Sequence, residues 1–338
     1  MNTILALIPN WIGDVAMCTP ALRALHKRWP SARVTIAGKP ACCELLRGLP
    51  YIHRIEEVPA RAPLPSLHEA AHALAPHARD LAVVFPHSAR AAFLAWLTGS
   101  TKRIGYARGG RSMLLTDRVK PHRVNGHIEP IYMTQEYLEL VKALGCEDDG
   151  EGLELWADPQ EVEGMRTRLQ GHGPVVGIAP GAAFGVSKLW PAERFAAVAD
   201  MLADKAGAQC VLLTGPGEER TRNAVRAAAK RPLLQLDGGM PTIDSMKATV
   251  AALDLLICND SGARHVAVAF KVPTVCIMGP TSPKYSCGPY ERGEVLREDV
   301  DCGPCQKPVC TTDHRCMTRI EPERVVEAAL KHLPKQGN

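Results

Sequence analysis

Short apolar runs alternate with amphipathic stretches along the whole chain. Residues 4–8 form a continuous apolar run bounded by polar residues, which predicts a buried strand. Residues 15–29 follow with Leu22 and Leu25 set among Arg23, Lys27 and Arg28. That is the pattern of a half-buried helix, and Pro30 ends it. Residues 33–37 and 81–85 read as further strands, and 89–97 as a helix. Residues 128–144 read as one helix closed by Gly145. Residues 146–174 are charged and glycine-rich, with no strand signal until Val175. A second series then begins. Residues 175–179 and 209–214 read as strands, 191–205 and 218–230 as helices, and 255–258 as a strand. A run of small residues that reads as a helix comes next, then a strand over 272–278. Residues 321–333 read as a closing helix.

Two successive βα series of similar size predict an α/β chain with two Rossmann-like parallel-sheet domains facing across a cleft. The expected division is 1–160, 174–320 with a cysteine-rich segment at 302–316, and a terminal helix and tail at 321–338. In open parallel sheets the ligand sits at the carboxyl ends of the strands. The loops at those ends are therefore where chemistry is sought.

The most informative loop is Asn259-Asp260-Ser261-Gly262-Ala263-Arg264-His265, at the end of the 255–258 strand. A helix opening at Gly262 leaves its first N–H groups without partners and its dipole positive, which suits phosphate or diphosphate. His265, one turn in, can reach back over the same place. A second loop, Pro180-Gly181-Ala182-Ala183-Phe184-Gly185, leads to Lys188 and Trp190-Pro191. Its small residues expose backbone N–H groups, and Lys188 adds a point charge. It is neither a Walker A loop nor a Gly-x-Gly-x-x-Gly helix start. A third, Thr214-Gly215-Pro216-Gly217-Glu218-Glu219, ends a strand in a turn with acids. Such an acid either takes a ribose hydroxyl pair or simply favours the helix dipole. Near the start, Asp14 in Trp11-Ile12-Gly13-Asp14 reads as a cap for the helix from Val15, a catalytic carboxylate, or both.

Charge and cysteine content change this picture in two ways. Residues 1–125 hold 17 Lys/Arg against 7 Asp/Glu, while the rest of the chain holds 23 against 29. The basic first half points either to an acidic partner or to an ordinary uneven surface. Nucleic acid is disfavoured, since the basic residues are spread over βα units without a tail or interleaved aromatics. The chain begins without a basic n-region, and no apolar run is long enough to span a bilayer, so a cytoplasmic protein is expected. In that compartment 12 cysteines read as thiols or metal ligands rather than disulfides. Cys302, Cys305, Cys310 and Cys316 follow C-x2-C-x4-C-x5-C with His314 inside. A zinc or iron knuckle is one reading of that spacing, and a reduced metal-free thiol cluster is the other. Cys42, Cys43, Cys210, Cys258 and Cys276 lie in apolar runs and read as core residues. His68, His72 and His77 read as a solvated helix face.

Taken in order, the three loops and Trp11–Asp14 resemble glycosyltransferase family 9, the ADP-heptose:lipopolysaccharide heptosyltransferases of GT-B fold, and within it the heptosyltransferase II branch. The resemblance covers nearly the whole chain. It rests on Trp11-Ile12-Gly13-Asp14, Pro180 to Gly185 with Lys188 and Trp190-Pro191, and Asn259 to Gly262 with His265. The tail from Cys302 to Cys316-Met317 resembles one found in some members.

The resemblance implies an acceptor-binding first domain and a donor-binding second domain. It implies Asp14 as the general base and Lys188 on the departing diphosphate. Gly181, Ala183, Asp260, Ser261, Gly262 and His265 would line the donor site, with Glu219 on the ribose and Met240 near adenine. The partners implied are ADP-heptose and a heptosyl–Kdo2–lipid A inner-core acceptor at the cytoplasmic membrane face, by inverting transfer that needs no metal cofactor. Ser261 stands where some relatives have threonine, and Arg264 replaces a commonly apolar residue and adds a charge near the pocket. Alternatives of other kinds are a heptosyltransferase I type, a protein O-heptosyltransferase, or a nucleotide-binding module without catalysis.

Overall fold

The structure is a computed structural model that describes residues 1–58, 64–169, 171, 173–234 and 242–334. Two compact units make up the chain. One is Met1–Trp156 with Lys284–Cys287, and the other is Ala157–Pro283 with Gly288–Asn338.

The first unit is built on a parallel sheet of β1 (Thr3–Leu7), β2 (Arg33–Gly38), β3 (Arg54–Glu57), β4 (Leu81–Val84), β5 (Lys102–Tyr106) and β6 (Asp117–Val119). Their order is β3-β2-β1-β4-β5-β6. β1 pairs on both sides, Leu5 facing Thr35 of β2 and Ala82 of β4. The central strands are apolar on both faces because helices cover both, as a parallel sheet requires. α1 (Ile12–Arg28), α2 (Pro40–Leu45), α3 (Leu64–Leu74) and α4 (Ala89–Leu97) complete this half. Leu67, Ala71 and Leu74 of α3 and Leu94 of α4 pack on Leu5, Leu7 and Val84. His68 and His72 are on the exposed side of α3, as the sequence predicts.

α1 carries Pro20 in its interior and yet runs for 17 residues. Pro20 has no N–H to give the carbonyl of Ala16. The Thr19 hydroxyl takes that carbonyl at 2.8 Å. The helix starts earlier than expected, with Trp11 at its N-cap and no side-chain cap. Asp14 therefore lies inside the first turn and is not the cap. A carboxylate there still gains from the helix dipole.

The predicted helix over 128–144 is shorter and starts later, as α5 (Met133–Lys142). Residues before it form a two-stranded ribbon, β7 (Arg123–Val124) and β8 (His127–Ile128). Asn125 and Gly126 both have positive φ, 49° and 81°, as a tight two-residue hairpin turn needs. Pro130 then keeps the preceding backbone extended and blocks a helix there.

The second unit has β9 (Val175–Ala179), β10 (Gln209–Leu212), β11 (Leu255–Asn259), β12 (Thr274–Ile277) and β13 (Gly293–Leu296), all parallel, in the order β10-β9-β11-β12-β13. The segment 146–174, read as charged and glycine-rich without a strand signal, contains α6 (Pro159–Leu169). Asp158 accepts from the Gln160 N–H at 2.8 Å and Pro159 occupies the first helical position, both start signals. The helix is mostly polar, with only Met165 and Leu169 buried, so no apolar stripe reveals it. α7 (Ala192–Ala206), α8 (Glu219–Ala228), α9 (Ile243–Ala251), α10 (Gly262–Ala269), α11 (Pro283–Ser286), α12 (Arg315–Thr318) and α13 (Pro322–His332) follow. α13 packs on α7. Trp190 meets Phe195 edge-on at 5.0 Å and donates from its indole to the Ile320 carbonyl at 3.0 Å. Cys42, Cys43, Cys210, Cys258 and Cys276 are buried core residues, as expected. Among the described residues no helix is long and apolar enough to cross a membrane.

Candidate active site

In the second unit β9 and β11 are neighbours, Ala179 opposite Cys258. The chain leaves β9 toward the β10 edge and returns through β11 to the other side. At such a reversal the two outgoing loops diverge and open a crevice at the strand ends. Residues 180–190 and 260–262 are those loops. Asn259, fully buried at the end of β11, ties them together. Its amide donates to the Pro180 carbonyl at 2.6 Å and its oxygen accepts from the Trp190 N–H at 3.2 Å.

Lys188 is brought to the start of α10. Its Nζ donates to the Asp260 carbonyl at 2.9 Å and to Asp260 Oδ2 at 2.6 Å, and lies 5.2 Å from the Phe184 ring centroid. An ammonium has three N–H groups, so one remains to meet an anion. Ser261 is the N-cap of α10 and makes no side-chain cap bond. Helical N–H groups beginning at Gly262, the dipole and Lys188 thus converge on one spot. Of the expected donor residues, Lys188, Asp260, Ser261, Gly262 and His265 lie together at the opening of α10.

Asp260 is not presented to a phosphate. It is 5% exposed and its carboxylate is surrounded. Oδ2 accepts from Lys188 and from Thr281 at 2.7 Å, and Oδ1 from Arg264 at 3.0 Å. Burial alone would raise this carboxyl, but the Lys188 and Arg264 charges, with hydrogen bonds from Lys188 and Thr281, outweigh it and hold it ionised. Arg264, whose charge was expected near the pocket, is 0% exposed and turned inward, 3.0 Å from Asp260. It forms a fork with Glu291, 2.6 Å at each oxygen, and Glu291 also accepts from Thr274 at 2.7 Å. Glu291 carries no signal in the sequence, because the pair joins residues far apart in the chain. His265 is 5% exposed and lies in α10 beside this network. Burial, reinforced by the Arg264 charge, lowers its pKa to about 4. His265 is therefore neutral at pH 7 and can act as a hydrogen-bonding group, not as a cation.

The acid against the glycine loops is Glu218 rather than the expected Glu219. Glu218 Oε2 accepts from the Gly215 N–H at 2.7 Å. A Cβ on Gly181 would sit 1.8 Å from Glu218 Oε1, so only glycine lets this carboxylate under the loop. Burial raises the Glu218 carboxyl, while the Gly215 N–H opposes it. Glu219 is exposed and reaches the Gly217 N–H at 3.4 Å. Ala183 is exposed in its loop. Met240 lies outside the described residues.

Cys302, Cys305, Cys310 and Cys316 line one cavity of about 70 Å³ with His314. The His314 Nε2 is spent on the Ser187 carbonyl at 2.7 Å, and Cys302 and Cys310 each approach the Thr312 hydroxyl, at 3.9 and 3.5 Å. Among the described residues no three His, Cys, Asp or Glu side chains are gathered to hold a metal ion. The thiols share a cavity but, as arranged, do not fit a zinc or iron centre. What this segment does is brace the lysine loop. Ser187 donates from its N–H to the Pro308 carbonyl at 3.1 Å and from its hydroxyl to the Lys307 carbonyl at 2.6 Å.

In the first unit Asp14 is half-buried on α1. Burial pushes up the Cys18 thiol and the Tyr137 phenol, and the nearby Asp14 carboxylate adds to both.

The profile of glycosyltransferase family 9 (heptosyltransferase) matches residues 67–315. Lipopolysaccharide heptosyltransferase 2 of Escherichia coli (strain K12) is 29% identical over 347 residues, covering 96% of this chain and 96% of that protein. The structure of E. coli ADP-heptose LPS heptosyltransferase II superposes with a TM-score of 0.78 at 25% identity, covering 97% of this chain and 98% of that one. A family 9 glycosyltransferase structure from Veillonella parvula superposes with a TM-score of 0.84 at 22% identity, covering 98% and 96%.

Two stability predictions follow from the buried charges. Arg264→Met strands Asp260 and Glu291, and urea unfolding should show a loss of about 3–5 kcal/mol, whereas a change below about 1 kcal/mol would make the fork unimportant. His265 takes up a proton in the unfolded chain near its ordinary value of 6.5 but in the folded chain only near 4. Its contribution is intact above pH 6.5 and lost as pH falls toward 4, by about 3 kcal/mol at 1.36 kcal/mol per pH unit. Urea midpoints of His265→Gln measured across that window should fall less steeply than those of the parent chain.

Proposed function

The chain belongs to glycosyltransferase family 9, and on that premise we propose that it transfers L-glycero-D-manno-heptose from ADP-heptose to the heptosyl–Kdo2–lipid A inner core of lipopolysaccharide. The observation that carries the reading is Lys188 Nζ held 2.6 Å from Asp260 at the opening of α10. A cation, a ring of free N–H groups and a buried counter-charge form a seat for a leaving diphosphate. The heptose and the lipopolysaccharide are those of the similar lipopolysaccharide heptosyltransferases.

In this reading Asp14 accepts the proton of the acceptor hydroxyl as its oxygen bonds to the anomeric carbon. The bond from that carbon to the diphosphate breaks, and its electron pair leaves on the phosphate oxygen. A single displacement of this kind inverts configuration. Charge grows on the leaving oxygen, where Lys188, the N–H groups of Ser261 and Gly262, and neutral His265 stabilise it. Lys188 and the helix terminus take the part that a divalent cation plays elsewhere. Gly181 and Ala183 offer backbone to the diphosphate. Glu218, seated under Gly181, is favoured over Glu219 for the ribose hydroxyls. Met240 is kept on the adenine. The first unit binds the acceptor at the cytoplasmic face of the membrane, through basic surface.

The test is ADP release and product mass on mixing the chain with ADP-heptose and that acceptor. No product from a folded preparation overturns the reading. Asp14→Asn should lower kcat about 10²–10⁴-fold while leaving ADP affinity intact, and an unchanged kcat removes Asp14 from the mechanism. Lys188→Ala should weaken ADP binding at least about tenfold, since a hydrogen bond between charged groups is worth about 1.5–3 kcal/mol. A chelator should leave the rate unchanged, and a fall to background would put a metal back into the reaction.

A further inference from the structure

The cysteine-bearing segment holds chemistry that its bracing contacts do not use. Outside it, seven cysteines are buried and Cys287 is half-buried. Within it, Cys302 is exposed and Cys305 and Cys310 are half-buried. Cys316 is buried, its Sγ 2.8 Å from where a Cβ on Gly279 would lie. The Thr312 hydroxyl lies 3.9 Å from Cys302 Sγ and 3.5 Å from Cys310 Sγ, so one hydroxyl touches both sulfurs.

These thiols differ in reactivity. Hydrogen bonds from the Thr312 hydroxyl and from the backbone of Thr312 and His314 pull the Cys310 thiol below its ordinary value. The thiolate, not the thiol, is the nucleophile. Burial pushes the Cys316 thiol the other way, and the neighbouring thiols add to that. A reactive thiol open to solvent beside a second thiol is the arrangement that oxidants convert to a disulfide.

The place of the pair in the chain ties it to the donor loop. Lys307 and Pro308, whose carbonyls accept from Ser187, lie between Cys302 and Cys310. A Cβ on Gly185 would lie 2.3 Å from the Pro308 carbonyl oxygen, so the two loops are packed backbone to backbone. His314 holds the Ser187 carbonyl at 2.7 Å, and Lys188 is the next residue. Any shift of residues 303–309 therefore reaches the lysine loop.

We propose that Cys302 and Cys310 form a reversible disulfide on exposure to hydrogen peroxide, and that its closure loosens the lysine loop. The Cys310 thiolate attacks one peroxide oxygen, the O–O bond breaks, and the departing hydroxide takes a proton to become water. Cys310 is then a sulfenic acid. The Cys302 sulfur attacks it, the S–O bond breaks, and a second water leaves with the Cys302 proton. Two thiols are oxidised and one peroxide is reduced to two waters. The new bond of about 2.0 Å draws together sulfurs that now flank a hydroxyl, and the intervening residues must move with them. The inference rests on the transfer reading only in taking ADP as the ligand of the donor site.

The experiment treats the full chain with hydrogen peroxide, alkylates the remaining thiols, and reads a peptide map by mass spectrometry and ADP affinity by calorimetry. A bond between Cys302 and Cys310 should appear, with the loss of two hydrogen atoms. ADP should bind at least about fivefold more weakly, as the loss of one hydrogen bond in the site does. Dithiothreitol should reverse both. Cys302→Ser and Cys310→Ser should each prevent both changes, with untreated ADP affinity within about twofold of the parent. Cys305→Ser should respond as the parent does. No disulfide, a bond through Cys305 or Cys316 instead, unchanged ADP affinity in the cross-linked chain, or stoichiometric zinc or iron that peroxide releases overturns the proposal. A parent chain that forms the disulfide yet binds no ADP even when reduced overturns the transfer reading and leaves the thiol pair standing.

Discussion

Everything in the second unit's site depends on keeping one carboxylate charged where water does not reach. Asp260 is buried at the opening of α10, where an isolated ion would be far too costly. Lys188, Arg264 and Thr281 make it tolerable, and Glu291 in turn balances Arg264. Two cations and two anions leave the cluster formally neutral. In the proposed transfer, an arriving diphosphate meets a lysine already aimed by Asp260, not a loose side chain that must first be ordered. That is preorganisation, and its cost is met in folding rather than at the moment of reaction. The same cluster keeps His265 uncharged, since burial and Arg264 both oppose a second proton there.

The loops that carry this cluster are held by ordinary fold devices. Asn259 joins the β9 and β11 loops with two hydrogen bonds. The cysteine-bearing segment grips the lysine loop at Ser187 through backbone groups of Lys307 and Pro308. Its thiols line one cavity, and the contacts the geometry shows from the segment to the lysine loop are those that brace Ser187. In each unit the candidate chemistry lies where the strand order reverses, between β1 and β4 or between β9 and β11. The reason is common to both. Only there do adjacent parallel strands send their following loops in opposite directions.

Much of this was legible in the chain. Apolar runs announced most of the long strands, because strands covered on both faces must be apolar throughout. The Asp260–His265 loop announced a helix N-terminus after a strand, and Lys188 stood out as a cation in a loop of small residues. The misreadings have equally local causes. The α5 boundary was lost because the turn signal of Asn125-Gly126 and the block at Pro130 were outweighed by a long periodic run. α6 was hidden because its surface is polar almost all round. The cap reading for Asp14 fails because capping depends on φ and ψ, which a carboxylate in the right neighbourhood does not reveal, while its other reading, as a catalytic carboxylate, is untouched by this.

The sequence by itself determined the alternation of elements, the family resemblance and the identity of the groups that could do chemistry. It could do so because strand burial, helix starts and anion-binding turns are set by residues adjacent in the chain. Only the tertiary structure decided that Arg264 forks onto Glu291, and that Glu218 lies under Gly181 while Glu219 faces solvent. Those relations join residues separated by 27 and 37 positions, and no local preference encodes them. They follow from which strands are neighbours, and that is settled when the sheet closes its hydrogen bonds and the buried charges must find partners.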